Sequence, residues 1–167
     1  INHLAEIKVS FRYNELLKAS EIYLNEDNVN AAIRTMEVSN SVSIVATMPE
    51  VRQKLVELQQ QMGAHKGIVM DGRDIGTVVF PDAELKLFMT ASAGTRAQRR
   101  YDELIQSGAE VTYDAVLENI NSRDHIDSTR EDSPLFKADD AIGIDNSNLD
   151  KVQQFEQVMK LVNSRLK

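Results

Sequence analysis

Residues 71–74 combine side-chain types that could bind a charged ligand. They read Asp-Gly-Arg-Asp, so two carboxylates and one guanidinium lie beside a glycine that permits close approach of the backbone. Short motifs of this kind often occur in ordinary turns, where the charges satisfy one another as an ion pair. A ligand site is the alternative interpretation, and it would require further arginines from other parts of the chain.

Two arginines and an aspartate farther along the chain could complete such a site. Arg123, Asp127 and Arg130 follow the spacing i, i+4, i+7, which places them on one face of a helix. A solvated, salt-bridged helix face is one interpretation. In the other, the planar guanidinium groups grip a phosphate while the carboxylate takes ribose hydroxyls. A third basic group, at residues 96–100, would be interpreted on its own as a surface patch.

The elements that must position these residues differ between the two parts of the chain. In the first part we predict strands at 6–13 and 21–25, which could pair antiparallel, and helices at 29–47 and 49–62. Asp27 or Asn28 could cap the first helix. Pro49 suits the first turn of the second helix, and Gly63 suits its end.

Short apolar runs separated by helical segments fill the second part. We predict strands at 67–70, 85–89 and 141–145, and helices at 93–107, 113–122 and 149–166. This alternation is typical of βαβ units with a parallel sheet buried on both faces. We therefore expect an α/β fold, with a small antiparallel α+β insert over 1–64 and an α/β body over 65–167. Ligands of such sheets lie at the carboxyl ends of the strands, and residues 71–74 follow one of those ends.

Composition excludes several classes of function. The chain carries 19 basic and 26 acidic side chains, and a net charge of −7 disfavours binding of nucleic acid. It contains no cysteine, which excludes a disulfide scaffold, a thiolate zinc site and a cysteine nucleophile, and is compatible with a cytoplasmic location. No apolar run approaches the length of a membrane span, so we expect no membrane partner.

Residues 71–83, DGRDIGTVVFPDA, resemble the signature of the bacterial cytidylate kinases, which are P-loop nucleoside monophosphate kinases. The stretches 33–38, 97–100 and 123–130 match that family as well, and the likeness covers essentially the whole chain. The resemblance implies phosphoryl transfer from ATP to CMP or dCMP with Mg²⁺. It also implies a P-loop kinase-like parallel sheet with flanking helices, a CMP-binding insert over 1–64 and a lid around 112–134.

The resemblance assigns Ser43, Arg52 and Asp74 to the cytosine ring. The chemistry of the base agrees with the two charged types, because a carboxylate accepts from the N4 amino group and a guanidinium donates to N3 and O2. Uracil presents O4 in place of that amino group, so it would meet the same carboxylate with a repulsive pair of acceptors.

The resemblance assigns the phosphates to arginines. The expected catalytic residues, which would also hold the acceptor nucleotide, are Arg73, Arg123 and Arg130. Asp127 would join Arg123 at the ribose and phosphate of CMP. Arg99 and Arg100 would approach the phosphates of ATP. No side chain is assigned as a metal ligand.

One element of the family pattern is missing from this sequence. A P-loop kinase needs G-x-x-x-x-G-K-[S/T], and no Gly-Lys dipeptide occurs here. The sequence starts at Ile1 rather than Met, which suggests a piece of a longer protein. We expect that an N-terminal segment or a second chain completes the sheet, and that this chain alone does not transfer phosphate. The alternatives are a non-catalytic nucleotide-binding module and a structural α/β domain.

Overall fold

The chain divides into two units, Ile1–Leu58 and Gln59–Lys167. The computed structural model describes residues 4–165. Sequence patterns set the boundary at 64/65, whereas this division falls six positions earlier (64 − 58), inside the second helix. The roles attached to the two parts, a CMP-binding insert and a kinase core with a lid, stay predictions.

An antiparallel sheet opens the first unit. Strand β1, Val9–Asn14, pairs with β2, Ala19–Leu24, in a register that sets Val9 opposite Leu24. A third strand, β3, Asp27–Asn28, pairs with the end of β2. The expectation of two strands was therefore wrong by one. A strand of two residues shows no alternation from which the sequence could predict it.

Two helices follow the sheet in the first unit. A short 3₁₀ turn, Ala32–Arg34, precedes α1, Met36–Val45, and then comes α2, Pro49–Met62. The predicted cap at Asp27 or Asn28 was wrong, because those residues pair with β2. Thr35 is the cap instead, and its hydroxyl accepts a hydrogen bond from the Val38 amide at 3.4 Å.

A parallel pair of strands lies at the centre of the second unit. Strand β4, Leu87–Thr90, pairs with β5, Ile142–Asp145, which confirms the expected α/β class with a parallel sheet. The helices are α3, Ala93–Gln106, α4, Tyr113–Thr129, and α5, Lys151–Arg165. The buried apolar side chains of this unit are Val79, Ala97, Leu104, Val116, Ala141 and Ile144.

The predicted strand at 67–70 was wrong. Residues 67–70 have an apolar composition but no strand structure, and the side chains of Ile68 and Val69 are 43% and 101% exposed. Within residues 4–165 the parallel sheet contains β4 and β5 alone. A strand requires a hydrogen-bonded neighbour as well as apolar residues, and composition reports only the second requirement.

Candidate functional site

The stretch 71–83, which we call the signature loop, contains a π-helix at Ile75–Val79. The backbone carbonyl of Asp74 accepts from the Val78 amide at 2.9 Å, and the Phe80 amide donates to the Ile75 carbonyl at 2.7 Å. The second of these bonds spans five residues, which is the π-helical pattern. Such turns are rare and are often found at functional sites. Here the turn follows directly after the buried Asp74 and the half-exposed Arg73.

Lys86 fastens the signature loop to the sheet. Its Nζ donates to the Pro81 carbonyl and pairs with the Asp140 carboxylate at 2.8 Å, although the lysine side chain is only 8% exposed. A Cβ on Gly76 would lie 3.3 Å from the Lys86 stem, so glycine allows this close packing. The hydrogen bond from Lys86 lowers the pKa of Asp140. Lys86 is not among the site residues predicted from the sequence. The available signal was a lysine inside the apolar run 85–89.

The side chains of Arg73 and Arg130 meet at one carboxylate. Arg73 Nε donates to Asp127 Oδ2 at 2.9 Å, and Arg130 Nη1 donates to Asp127 Oδ1 at 3.2 Å. The side chains of Asp127 and Arg130 are each 4% exposed, whereas Arg73 is 45% exposed. Asp127 therefore joins the signature loop to the C-terminal turn of α4. A buried carboxylate with two charge-assisted bonds fixes the orientation of both guanidinium groups.

Arg123 lies beside this group on α4. Burial lowers the pKa of Arg123, and the positive charge of Arg73 lowers it further, while Asp127 acts in the opposite direction. We call Arg73, Arg123, Arg130 and Asp127 the arginine cluster. Three positive charges and one negative charge leave an excess of two positive charges (3 − 1 = 2). Such an excess in a partly desolvated place favours binding of an anion.

Arg99 and Arg100, which lie on α3, have different surroundings. The terminal nitrogens of Arg99 donate to the side chain and the backbone carbonyl of Asn146 at 3.1 and 2.8 Å, and to the Leu149 carbonyl at 3.2 Å. Arg99 thus braces the loop after β5. Arg100 pairs with Glu103 at 3.3 Å, and its charge also lowers the pKa of Arg123 after the larger effects of burial and Arg73. An approach of either residue to ATP stays a prediction.

Ser43 and Arg52 belong to the first unit. Ser43 on α1 and Arg52 on α2 are both buried, and Arg52 Nη1 donates to the Ala46 carbonyl at 3.4 Å. Buried arginines are uncommon, because protein groups must then replace water around the charge. Asp74, the third residue expected at the base, is buried in the second unit. Their shared role at a cytosine ring stays a prediction.

Residues 4–165 contain neither a metal-ligand cluster nor a membrane-spanning helix. No group of three or more His, Cys, Asp and Glu side chains there could hold a metal ion. None of the helices in that range is long and apolar enough to cross a membrane. The cytoplasmic location suggested by the absence of cysteine stays a prediction.

Comparisons with known proteins identify the family. The cytidylate kinase family model matches residues 1–164. A cytidylate kinase from Flavobacterium psychrophilum is 62% identical over 164 residues, which cover 98% of this chain and 73% of that protein. A second, from Flavobacterium johnsoniae, is 62% identical over 167 residues, which cover 100% of this chain and 73% of that protein. A third, from Phocaeicola vulgatus, is 58% identical over 151 residues, which cover 90% of this chain and 66% of that protein. The chain therefore belongs to the cytidylate kinase family of nucleoside monophosphate kinases.

Proposed function

We propose that this chain binds CMP or dCMP and takes part in the transfer of a phosphoryl group from ATP, which yields CDP or dCDP. The observation that carries the proposal is the arginine cluster, where two guanidinium groups bind one carboxylate, a third feels its charge, and an excess of positive charge remains. A nucleoside monophosphate carries a compact phosphate anion of the kind that guanidinium groups bind. Membership of the cytidylate kinase family supports the choice of CMP among such nucleotides.

Arg73 is the group of the cluster best suited to the acceptor phosphate. Its Nε is held by Asp127, and within residues 4–165 its Nη1 and Nη2 make no hydrogen bond to protein. The side chain is half-exposed, so these two donors can meet two phosphate oxygens in the planar geometry that guanidinium groups favour. Asp127 would then lower the cost of binding, because it already holds Arg73 in one orientation.

In the proposed reaction, a phosphate oxygen of CMP forms a bond to the γ-phosphorus of ATP. The bond between that phosphorus and the bridging oxygen breaks, and ADP leaves. The attacking oxygen is already anionic, so no side chain has to remove a proton. The task of Arg73, Arg123 and Arg130 is to hold the acceptor and to offset negative charge on the transferred group.

Recognition of the base is assigned to Ser43, Arg52 and Asp74. The Asp74 carboxylate would accept from the cytosine N4 amino group, and Arg52 would donate to N3 and O2. The support is the match between these side-chain types and the donor and acceptors of cytosine, together with the family to which the chain belongs. UMP would be disfavoured because its O4 would face the Asp74 carboxylate.

ATP and Mg²⁺ are the proposed donor and metal. Mg²⁺ in such enzymes binds mainly through nucleotide phosphates and water. When bound, Mg²⁺ would neutralise charge on the phosphate oxygens. Arg99 and Arg100 are the residues proposed to face those oxygens. Arg100 lies close enough to the arginine cluster for its charge to lower the pKa of Arg123. The sequence contains no Gly-Lys dipeptide to cradle the phosphates of ATP.

We also propose that another segment or a second chain completes the parallel sheet beside residues 67–70. The support is the full exposure of Val69 within an apolar run, which costs hydrophobic free energy. The 62%-identical relatives extend beyond the match, which covers 73% of their length. On this proposal, the chain alone binds CMP but does not transfer phosphate.

Calorimetric titration of the chain with CMP, dCMP, UMP and AMP tests the binding proposal. We expect CMP and dCMP to bind more tightly than UMP and AMP. Equal affinity for all four would contradict the proposed function, and no binding of any of them would favour a structural α/β domain. A separate assay with ATP, CMP and Mg²⁺ tests sheet completion, because turnover by this chain alone would contradict it.

Adding the segment that is proposed to complete the sheet distinguishes a kinase from a nucleotide-binding module without catalysis. We expect phosphoryl transfer to appear when the segment of the Flavobacterium psychrophilum relative that lies outside the match is co-expressed with this chain. Continued inactivity of a complex that forms and binds CMP would favour the non-catalytic module.

A further inference from the structure

Arg96 joins the carboxyl end of β4 to α4. Its Nε donates to the carbonyl of Ala91, directly after β4, at 3.0 Å. Its terminal nitrogens meet both carboxylate oxygens of Asp124, with Nη1 to Oδ1 at 3.0 Å and Nη2 to Oδ2 at 2.7 Å. All three guanidinium nitrogens therefore have protein partners. A bidentate pair of this kind fixes orientation as well as distance.

The Arg96–Asp124 pair lies next to the part of the arginine cluster that α4 carries. Asp124 directly follows Arg123, and its charge raises the pKa of Arg123 against the larger lowering by burial and by Arg73. The side chains of Arg96 and Asp124 are 35% and 36% exposed, so the pair is partly removed from water. A lysine could replace the charge of Arg96 but not its three directed bonds.

We propose that Arg96 is a positioning residue for the arginine cluster, acting through Asp124 to fix Arg123 relative to the carboxyl end of β4. The inference rests on the proposed function, since the placement of Arg123 matters to a ligand only if the cluster binds one. Ligands of α/β sheets lie at the carboxyl ends of the strands. Because Arg96 connects α4 to the carboxyl end of β4 by directed hydrogen bonds, α4 would present Arg123 to the ligand in one arrangement.

Calorimetric titration with CMP tests this role in two backgrounds. Arg96→Lys is expected to weaken CMP binding about fivefold in the wild-type chain. In a chain that already carries Arg123→Met, the same change should have little further effect, because Arg96 is proposed to act through Arg123. An equal loss in both backgrounds would overturn the proposal, since general loosening of the fold does not depend on Arg123. Thermal unfolding followed by circular dichroism checks that each variant is folded.

Two further variants keep the test decisive. Gln98→Ala is the matched control, because Gln98 also lies on α3 and, among residues 4–165, its side chain bonds only to Asp102 of the same helix. We expect unchanged CMP affinity. Asp124→Asn leaves the bond from Arg96 to Ala91 in place and is expected to weaken CMP binding as Arg96→Lys does. Unchanged affinity in folded Asp124→Asn would overturn the proposal even if Arg96→Lys fails to fold.

The failure of this inference differs from the failure of the proposed function. If the wild-type chain does not bind CMP, the proposed function is wrong and the inference falls with it. If the wild-type chain binds CMP and the Arg96 and Asp124 variants bind it equally well, only the positioning role is wrong.

Discussion

Asp127 accepts a hydrogen bond from Arg73 Nε at 2.9 Å, although 54 positions separate the two residues in the sequence. The other oxygen of the same carboxylate accepts from Arg130 at 3.2 Å. One buried carboxylate therefore sets the orientation of two arginines from different elements, the signature loop and the end of α4. Because Asp127 holds both guanidinium groups, we expect a nucleotide to bind Arg73 and Arg130 with little further ordering of their side chains.

Asp127→Asn tests how much that carboxylate contributes to the stability of the fold. The change keeps the shape but removes the charge that compensates Arg130, whose side chain is also 4% exposed. Because the buried guanidinium of Arg130 then loses the charge of Asp127, we expect the free energy of unfolding to fall by about 3 kcal/mol. Urea denaturation followed by circular dichroism measures the change.

Glu118→Gln is the control for that experiment, because Glu118 is exposed on the same helix. A surface change of this kind should alter the free energy of unfolding by less than about 0.5 kcal/mol. A similar small effect for Asp127→Asn would mean that the carboxylate does not hold the two arginines together.

Asp74→Asn tests recognition of the base. An asparagine can still accept from the cytosine amino group, but its own amide can also donate to O4 of uracil. We therefore expect the ratio of CMP affinity to UMP affinity to fall about tenfold, mainly because UMP binds more tightly. Calorimetric titration with both nucleotides measures the ratio. Asp71→Asn removes an equal charge from an exposed residue of the same loop and should leave the ratio unchanged.

Lys86→Met tests the attachment of the signature loop to the sheet. The hydrogen bond from Lys86 is the main cause that lowers the pKa of Asp140, so its removal should move that pKa up towards the usual aspartate value of about 3.9. A carboxyl titration by NMR measures it. The pKa of Asp145, which is lowered by hydrogen bonds from Ser147, is the internal control and should not move.

The same pair predicts a dependence of stability on pH. Since the pKa of Asp140 is lower in the folded chain, its pairing with Lys86 stabilises the fold above the usual aspartate pKa, and this contribution is lost as the pH falls through the folded value. The difference in free energy of unfolding between wild type and Lys86→Met should therefore shrink between neutral pH and about pH 2. A constant difference would mean that Lys86 acts only through the packing of its stem and its hydrogen bond to Pro81.

Local signals in the sequence predict some elements of the fold and not others. The bounds of α2 match their prediction, because Pro49 suits its first turn and Gly63 its end. The start of α1 was missed because a threonine cap at Thr35 competes with equally good caps earlier in the chain. The run 67–70 was mistaken for a strand because pairing depends on a neighbour that the run itself does not encode.

The candidate site shows the same division. The spacing of Arg123, Asp127 and Arg130 predicts one helical face, and α4 with its C-cap at Arg130 carries all three. The partnership of Asp127 with Arg73 could not be predicted, because it joins residues 54 positions apart and depends on how α4 packs. Sequence spacing predicts which residues are neighbours within one helix, whereas contacts between residues on different elements require the three-dimensional structure.

The central claim is that Arg73 holds the phosphate of CMP, and a titration of wild type and Arg73→Lys with CMP and with cytidine tests it most directly. Lysine keeps the charge but loses the planar pair of donors, so we expect Arg73→Lys to weaken CMP binding about tenfold while cytidine affinity changes by less than about twofold. An equal loss for CMP and cytidine, or no loss for CMP, would contradict the claim.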